Sequence, residues 1–208
     1  GHNLYIYFTN EIITLSSTPT PGTVFYIDGD CEFAGDYTFD GCTFLLGGAA
    51  RIVIPDNNEL TFTNSTLQSC REFMWDGIYL IDDDSKVIIE NNSHVQDAQN
   101  AIVSNKCAEF TIDQSSFDLN YRNIIVKPCG NEFTGTVHNT TFDCSNISSM
   151  LFPHDGERTY SAYEAEDVEM LYIGQPQSGL TDNTYSNLSS AIHLNKTSAV
   201  IQNNEFNN

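Results

Sequence analysis

The chain has 208 residues, 40% of them hydrophobic, and sets 8 Lys and Arg against 28 Asp and Glu for a formal charge of −20. That charge argues against nucleic acid and anionic membranes as partners, because both repel an acidic surface. No apolar run reaches the ~18 residues that a membrane-spanning helix needs, so membrane insertion is not expected.

In chain order, LYIYF (4–8) and EIITL (11–15) read as strands, and 16–22, with Pro19 and Pro21, as a loop. TVFYI (23–27) is a further strand before the DGD turn at 28–30. Residues 1–32 are expected to form N-terminal strands or an entry turn. The chain opens Gly1-His2-Asn3 without a leader, which reads as a mature product or a cleavage scar.

From residue 33 two short phrases alternate. The first is FDGCTF (39–44), FTNSTL (62–67), IENNSHV (89–95), IDQSSF (112–117), VHNTTF (137–142) and IQNNEF (201–206). Its copies start at 39, 62, 89, 112 and 137, a period of 23–27 residues. The second is DGIY (76–79), NAIV (100–103), NIIV (123–126) and SAIH (190–193). A degenerate copy runs from Ile173-Gly174 to Asn183-Thr184-Tyr185, making about seven turns. Each phrase is too short for a helix and alternates with period two, as a half-buried strand does. One turn cannot bury its apolar face alone; stacked turns can.

The fold class that follows is all-β, a right-handed parallel β-helix over 33–208 with one long inserted loop. Phe39, Phe62, Ile89, Ile112, Val137 and Ile201 form one inward column. Gly77, Ala101, Ile124 and Ala191 form a second, followed by Ile78, Ile102, Ile125 and Ile192. Asn64, Asn91, Asn139 and Asn203 are expected to stack at a bend as an amide ladder.

The insertion covers about 150–179 and holds proline, aromatics and carboxylates. Insertions in solenoids map to protruding loops, often on the binding face. Ala162-Tyr163 and Leu171-Tyr172-Ile173 are expected to rejoin the coil. The last phrase ends at Phe206 with no amphipathic cap after it, so the chain is expected to be a segment of something longer or to pack on itself or on sister subunits.

Trp75, Tyr160 and Tyr163 are the aromatic candidates for stacking on a sugar, with a packed corner role as the competing reading of Trp75. Asp82, Asp83 and Asp84 can ligate calcium, although their spacing matches no known calcium loop and a solvated acidic turn is the simpler reading. No other cofactor is expected. The five histidines (His2, His94, His138, His154, His193) share no ligand spacing. The sequons at Asn64, Asn91, Asn139, Asn146, Asn187 and Asn195 mostly coincide with the ladder phrase and read as structural. Six cysteines in an acidic chain favour an oxidising compartment. Cys107 and Cys129 occupy similar places on successive turns and are expected to pair; Cys31 with Cys42 is a weaker pairing.

The stretches CTFLLG (42–47), ARIVI (50–54), LTFTNSTLQSC (60–70), MWDGI (74–78) and VQDAQNAI (95–102) resemble the right-handed parallel β-helix repeats of large secreted Bacteroidota surface proteins. Those proteins are usually exported by type IX secretion. The resemblance spans roughly 39–206 and implies a secreted, cell-surface module. It carries no catalytic residues across. Hydrolases on this scaffold carry an Asn-Thr-Asp strand, a Gly-His-Gly and an Arg-Ile-Lys, and none of these is present. Of Arg51, Arg71, Arg122 and Arg158, only Arg122 lies beside a repeat strand where a lyase base would sit. The expectation is therefore a non-catalytic structural or adhesive module, possible partners being copies of itself or surface glycans, with carbohydrate binding or cleavage along the helix face as the alternative.

Overall fold

The computed structural model describes residues 4–129, 135–169, 171–174 and 182–207; the N-terminal Gly-His-Asn and part of the insertion lie outside them. Three parallel sheets build the coil, two of them running from its first turn. Sheet A has nine strands from Tyr5–Thr9 to Asn204–Asn207, and sheet B has eight from Ile12–Ile13 to Ser190–Asn195. Sheet C has five, from Tyr37–Asp40 to Thr136–His138. A pair, Leu171–Ile173 with Ala199–Ile201, continues it. One turn of the coil reads Glu59–Thr63 in sheet C, Thr66–Ser69 in A, Gly77–Leu80 in B, then Lys86–Glu90 back in C. The eight strands of sheet B give about eight turns rather than seven. The additional turn comes from residues 4–33, whose Tyr5–Thr9 strand pairs in register with Val24–Asp28.

The expected first column is present through its first five members; the sixth, Ile201, pairs with Ile173 at the edge of the continuing pair and is 45% exposed, not inward. Phe39, Phe62, Ile89, Ile112 and Val137 pair residue by residue and are buried. Beside it, inward rings of sheet A stack along the axis: Phe25 on Phe44 at 4.7 Å, Phe117 on Phe142 and Phe142 on Tyr185 each at 5.2 Å. Parallel pairing places like residues ~4.8 Å apart, which suits offset ring stacking.

The second column is displaced by one residue from expectation at its third member. Ile78, Ile102, Ile124, Tyr163 and Ile192 share the row, so Ile124 and not Ile125 aligns with Ile102. Asn123 therefore takes the small-residue slot of Ala101. It is buried there, donating to Ser161 O at 3.2 Å and accepting from Asn120 Nδ2 at 2.9 Å. The spacing from the preceding sheet A strand set the register, and the likeness of Asn123 to Asn100 misled.

The C-to-A corner turns on a left-handed residue, joined by a second, Asn92 (φ 64°), in the longer 89–95 phrase. Asn64, Asn91, Asn139 and Asn203 have φ of 49°, 54°, 46° and 52°, a region asparagine tolerates better than most side chains. The expected amide-to-amide ladder does not form at Asn64 and Asn139. Their Nδ2 groups donate to carboxylates one turn back, Asp40 (3.2 Å) and Asp113 (2.8 Å). The ladder at this bend lies in the next residue, a buried row of Ser65, Ser93, Ser115 and Thr140. Ser65 Oγ donates to backbone carbonyl oxygen and accepts from Cys42 N at 3.1 Å, and Ser65 N donates to Ser93 Oγ at 3.1 Å. Small hydroxyls satisfy backbone that the corner pulls out of the sheet ladders.

Cys107 and Cys129 are joined by a disulfide between loops of adjacent turns, Cα atoms 5.6 Å apart. Cys31 and Cys42 are both free and buried. Cys31 lies in sheet B and Cys42 at the C-to-A corner, and burial pushes the Cys42 thiol up to about 11.

Candidate ligand groove

The insertion leaves sheet A after Thr141–Asp143 and returns to the coil at Ser161–Glu166 in sheet B. Between these it folds back along the A-to-B corner. Met150 and Cys144 pack with Met74 and Leu119 in a small second core. Phe152 reaches Phe73 in a parallel bridge: Met74 N donates to Phe152 O at 2.9 Å, and Phe152 N to Glu72 O at 3.3 Å. Farther along, His154 stacks flat on Tyr121 at 3.4 Å and pairs with Glu157 at 3.0 Å.

This return builds a cleft of about 480 Å³. Phe73 and Phe152 stand edge to face at 5.6 Å, yet remain 45% and 56% exposed. Met74 and Pro153 add apolar surface; Arg71, Gln99 and Asp28 add polar groups. Gly47 and Gly48 make the floor. A Cβ on Gly48 would stand 2.9 Å from Phe73 Cβ, and one on Gly47 would come within 3.0 Å of Asp28 Cγ. Phe73 Cβ can lie this close because Gly48 has no Cβ, and the Asp28 carboxylate rests over Gly47. A concave, mostly apolar site with a few converging polar groups is the usual form of a small-ligand site.

The surrounding faces are mostly satisfied within themselves, apart from Asp118 Oδ1 and Arg122 Nε, which are buried without a hydrogen-bond partner. On the outside of sheet B, Arg51 chelates Asp76 through Nε (2.9 Å) and Nη2 and covers the Tyr79 ring at 4.4 Å. Burial, then Asp76, raises the Tyr79 hydroxyl to about 12. Arg122 Nε lies 3.2 Å from Glu164 Oε1, out of line for a hydrogen bond, with the guanidinium over Tyr121 and Tyr160. The ion pairs of the described residues thus occupy Arg51 and Arg122 and leave out Arg71. On the outside of sheet A, His94 joins Ser116 Oγ and Gln96 Oε1, each at 2.7 Å, and Gln96 Nε2 donates to Asp97 at 2.9 Å. Burial raises Asp97; burial and the adjacent Asp143 raise Asp118.

The aromatic candidates divide. Trp75 is fully buried and gives its Nε1 proton to Gln96 O at 2.7 Å, so it is the packed corner residue and offers no face to a ligand. Tyr163 is an inward core residue of sheet B and is likewise unavailable. Tyr160 is outside, 37% exposed, beside Arg122 and 6.4 Å from the His193 ring. The acidic triplet also divides. Asp82 turns to Lys106 at 2.8 Å, which holds its carboxyl down at about 2. Asp83 and Asp84 gather instead with Asp56 from the loop one turn earlier, all three exposed. Phe73, Phe152 and Arg71, which build the cleft, carry no local signal beyond lying at a corner and in the insertion.

An all-β parallel coil with inward apolar columns and left-handed C-to-A corners defines a solenoid protein. The family model for a right handed beta helix region matches residues 8–147, more than half of the chain, and the chain belongs to that family. Searches of the curated proteins and of the solved structures find no match.

Proposed function

We propose that this β-helix is a non-catalytic adhesive module of an extracellular bacterial surface protein and that it holds carbohydrate in the corner cleft. The observation that carries the reading is the pair Phe73 and Phe152, two large rings kept half in water above Arg71 and Gln99. Sugars bind through apolar C–H faces laid on aromatic rings and through hydroxyls that need both donors and acceptors. The cleft supplies rings, donors in Arg71 and Gln99, and an acceptor in Asp28. Its wall is made by a loop that the regular coil does not need. The −20 charge, the Cys107–Cys129 disulfide and the resemblance to type IX-exported repeats support an extracellular bacterial setting. A non-catalytic role is supported by the sheet B face, where Asp76 and Glu164 are each held by an arginine.

A panel of immobilised glycans, read with wild type and Phe152→Ala, tests this reading together with a reducing-end assay on the glycans bound. Binding that the substitution weakens, without release of reducing ends, is the expected result. Release of reducing ends by the wild type, or binding indifferent to Phe152, overturns it.

A further inference from the structure

Beside the main cleft lies a second hollow of about 240 Å³. The two share Asp28, Gly47 and Arg71 as lining, so they adjoin across these residues. Resting on the carbohydrate reading above, we propose that together they form one groove for a linear, neutral polysaccharide laid along the solenoid axis.

The far end of the groove is itself a stacking platform. Tyr7 and Tyr26 are partners in the sheet A register and point outward. Their rings stack at 4.6 Å and 10°, and Tyr7 is 69% exposed. From Tyr7 the groove crosses Tyr26 and Asp28 on the next turn, Gly47 on the third, and Arg71 with Phe73 on the fourth. Two inter-turn steps at ~4.8 Å separate Tyr26 from the turn of Phe73 and three separate Tyr7 from it, about 10–14 Å between the two aromatic platforms. That is longer than one sugar ring, so a single unit cannot touch both platforms and a chain can. Glycine at 47 and 48 lets the Asp28 carboxylate and the Phe73 side chain lie down over the turn between them.

Charge selects among polymers. Asp28 and Arg71, the ionic groups shared by both hollows, are opposite in sign, so the mid-groove carries no net charge. An anionic chain would meet Asp28 and the field of a molecule with formal charge −20. A neutral chain meets two aromatic platforms with one donor and one acceptor between them, and loses nothing to that field.

The test is calorimetric titration of the whole chain with cello-, xylo- and manno-oligosaccharides from disaccharide to hexasaccharide, and with oligogalacturonates as the anionic series. In one neutral series the hexasaccharide binds roughly tenfold tighter than the disaccharide, the gain a second stacking platform supplies. The double variant Tyr7→Ala/Tyr26→Ala removes that gain, while Phe152→Ala weakens every length. Both platforms are solvent-facing, and far-ultraviolet circular dichroism verifies that the variants keep the fold. Equal affinity for short and long chains overturns the extended groove while leaving the cleft as a sugar site. Tighter binding of oligogalacturonate overturns neutrality. No binding by any member overturns the carbohydrate reading and this inference with it.

Discussion

Gly77→Ala puts the sheet B register to a quantitative test. Gly77 opens the Gly77–Leu80 strand with φ of +146°, a conformation essentially closed to residues with a Cβ. A Cβ there would stand 2.8 Å from the carbonyl carbon of Asn100, and closer still to its oxygen. That obstacle is backbone of the next turn and cannot swing away as a side chain can. Backbone strain costs about 1–3 kcal/mol. Displacing the strand also weakens one or two ladder hydrogen bonds around Ile78 and Ile102, each contributing about 1 kcal/mol. The total is about 4 kcal/mol, a large part of the roughly 5–15 kcal/mol that holds a domain folded. Urea unfolding followed by circular dichroism reads it directly: at a slope of roughly 2.5 kcal/mol per molar, the midpoint falls by about 1.6 M. Gly156→Ala is the control. Gly156 also has positive φ (+78°), but a Cβ there meets nothing within 4 Å, so it bears only the left-handed penalty of about 1–2 kcal/mol. A midpoint shift for Gly77→Ala no larger than that for Gly156→Ala would refute the reasoning, because backbone contact would then add nothing to conformational strain.

The disulfide and the acidic row on sheet A give two further expectations. Cys107→Ser/Cys129→Ser removes a cross-link with a sequence separation of 22, and thermal unfolding should report a loss of about 3 kcal/mol with the far-ultraviolet spectrum unchanged. Asp118→Asn should stabilise the protein at neutral pH. Burial and Asp143 raise the Asp118 pKa in the folded state, so its folding penalty is absent below the unfolded value near 3.9 and develops as pH rises through the folded value. A gain of a few tenths to about 1 kcal/mol at pH 7 that vanishes near pH 3, read from melting temperature across pH, is the expected signature. A loss at pH 7 would mean that the carboxylate makes a favourable contact there.

The repeat was legible because stacking forces like residues into rows. Phe39, Phe62, Ile89, Ile112 and Val137 recur in sequence as they pair in space. Corners were legible only in part. Asparagine marked the left-handed residue at 64, 91, 139 and 203, but which partner its amide would choose depended on the carboxylate one turn back, as with Asn64 and Asp40. Where a phrase was read by residue type, it slipped, as at Asn123. The groove was the least legible part. Phe152 meets Phe73 across 79 positions of sequence by a return of the insertion that no periodicity encodes. Trp75 and Tyr163 attracted notice as large aromatics, but whether such a ring faces water is decided by packing, here the Gln96 carbonyl and the sheet B column. Asp56 joins Asp83 and Asp84 because loops one turn apart are neighbours, while Lys106 from the following turn draws Asp82 away.

A crystal structure of the chain soaked with a neutral hexasaccharide from the tightest-binding series tests the account most directly. It predicts sugar rings laid on Phe73 and Phe152, hydroxyls at Arg71 and Asp28, and the chain continuing along the axis toward Tyr26 and Tyr7. Sugar bound instead on the outer face of sheet B, over Tyr79 or Tyr160 with the corner groove empty, would contradict it.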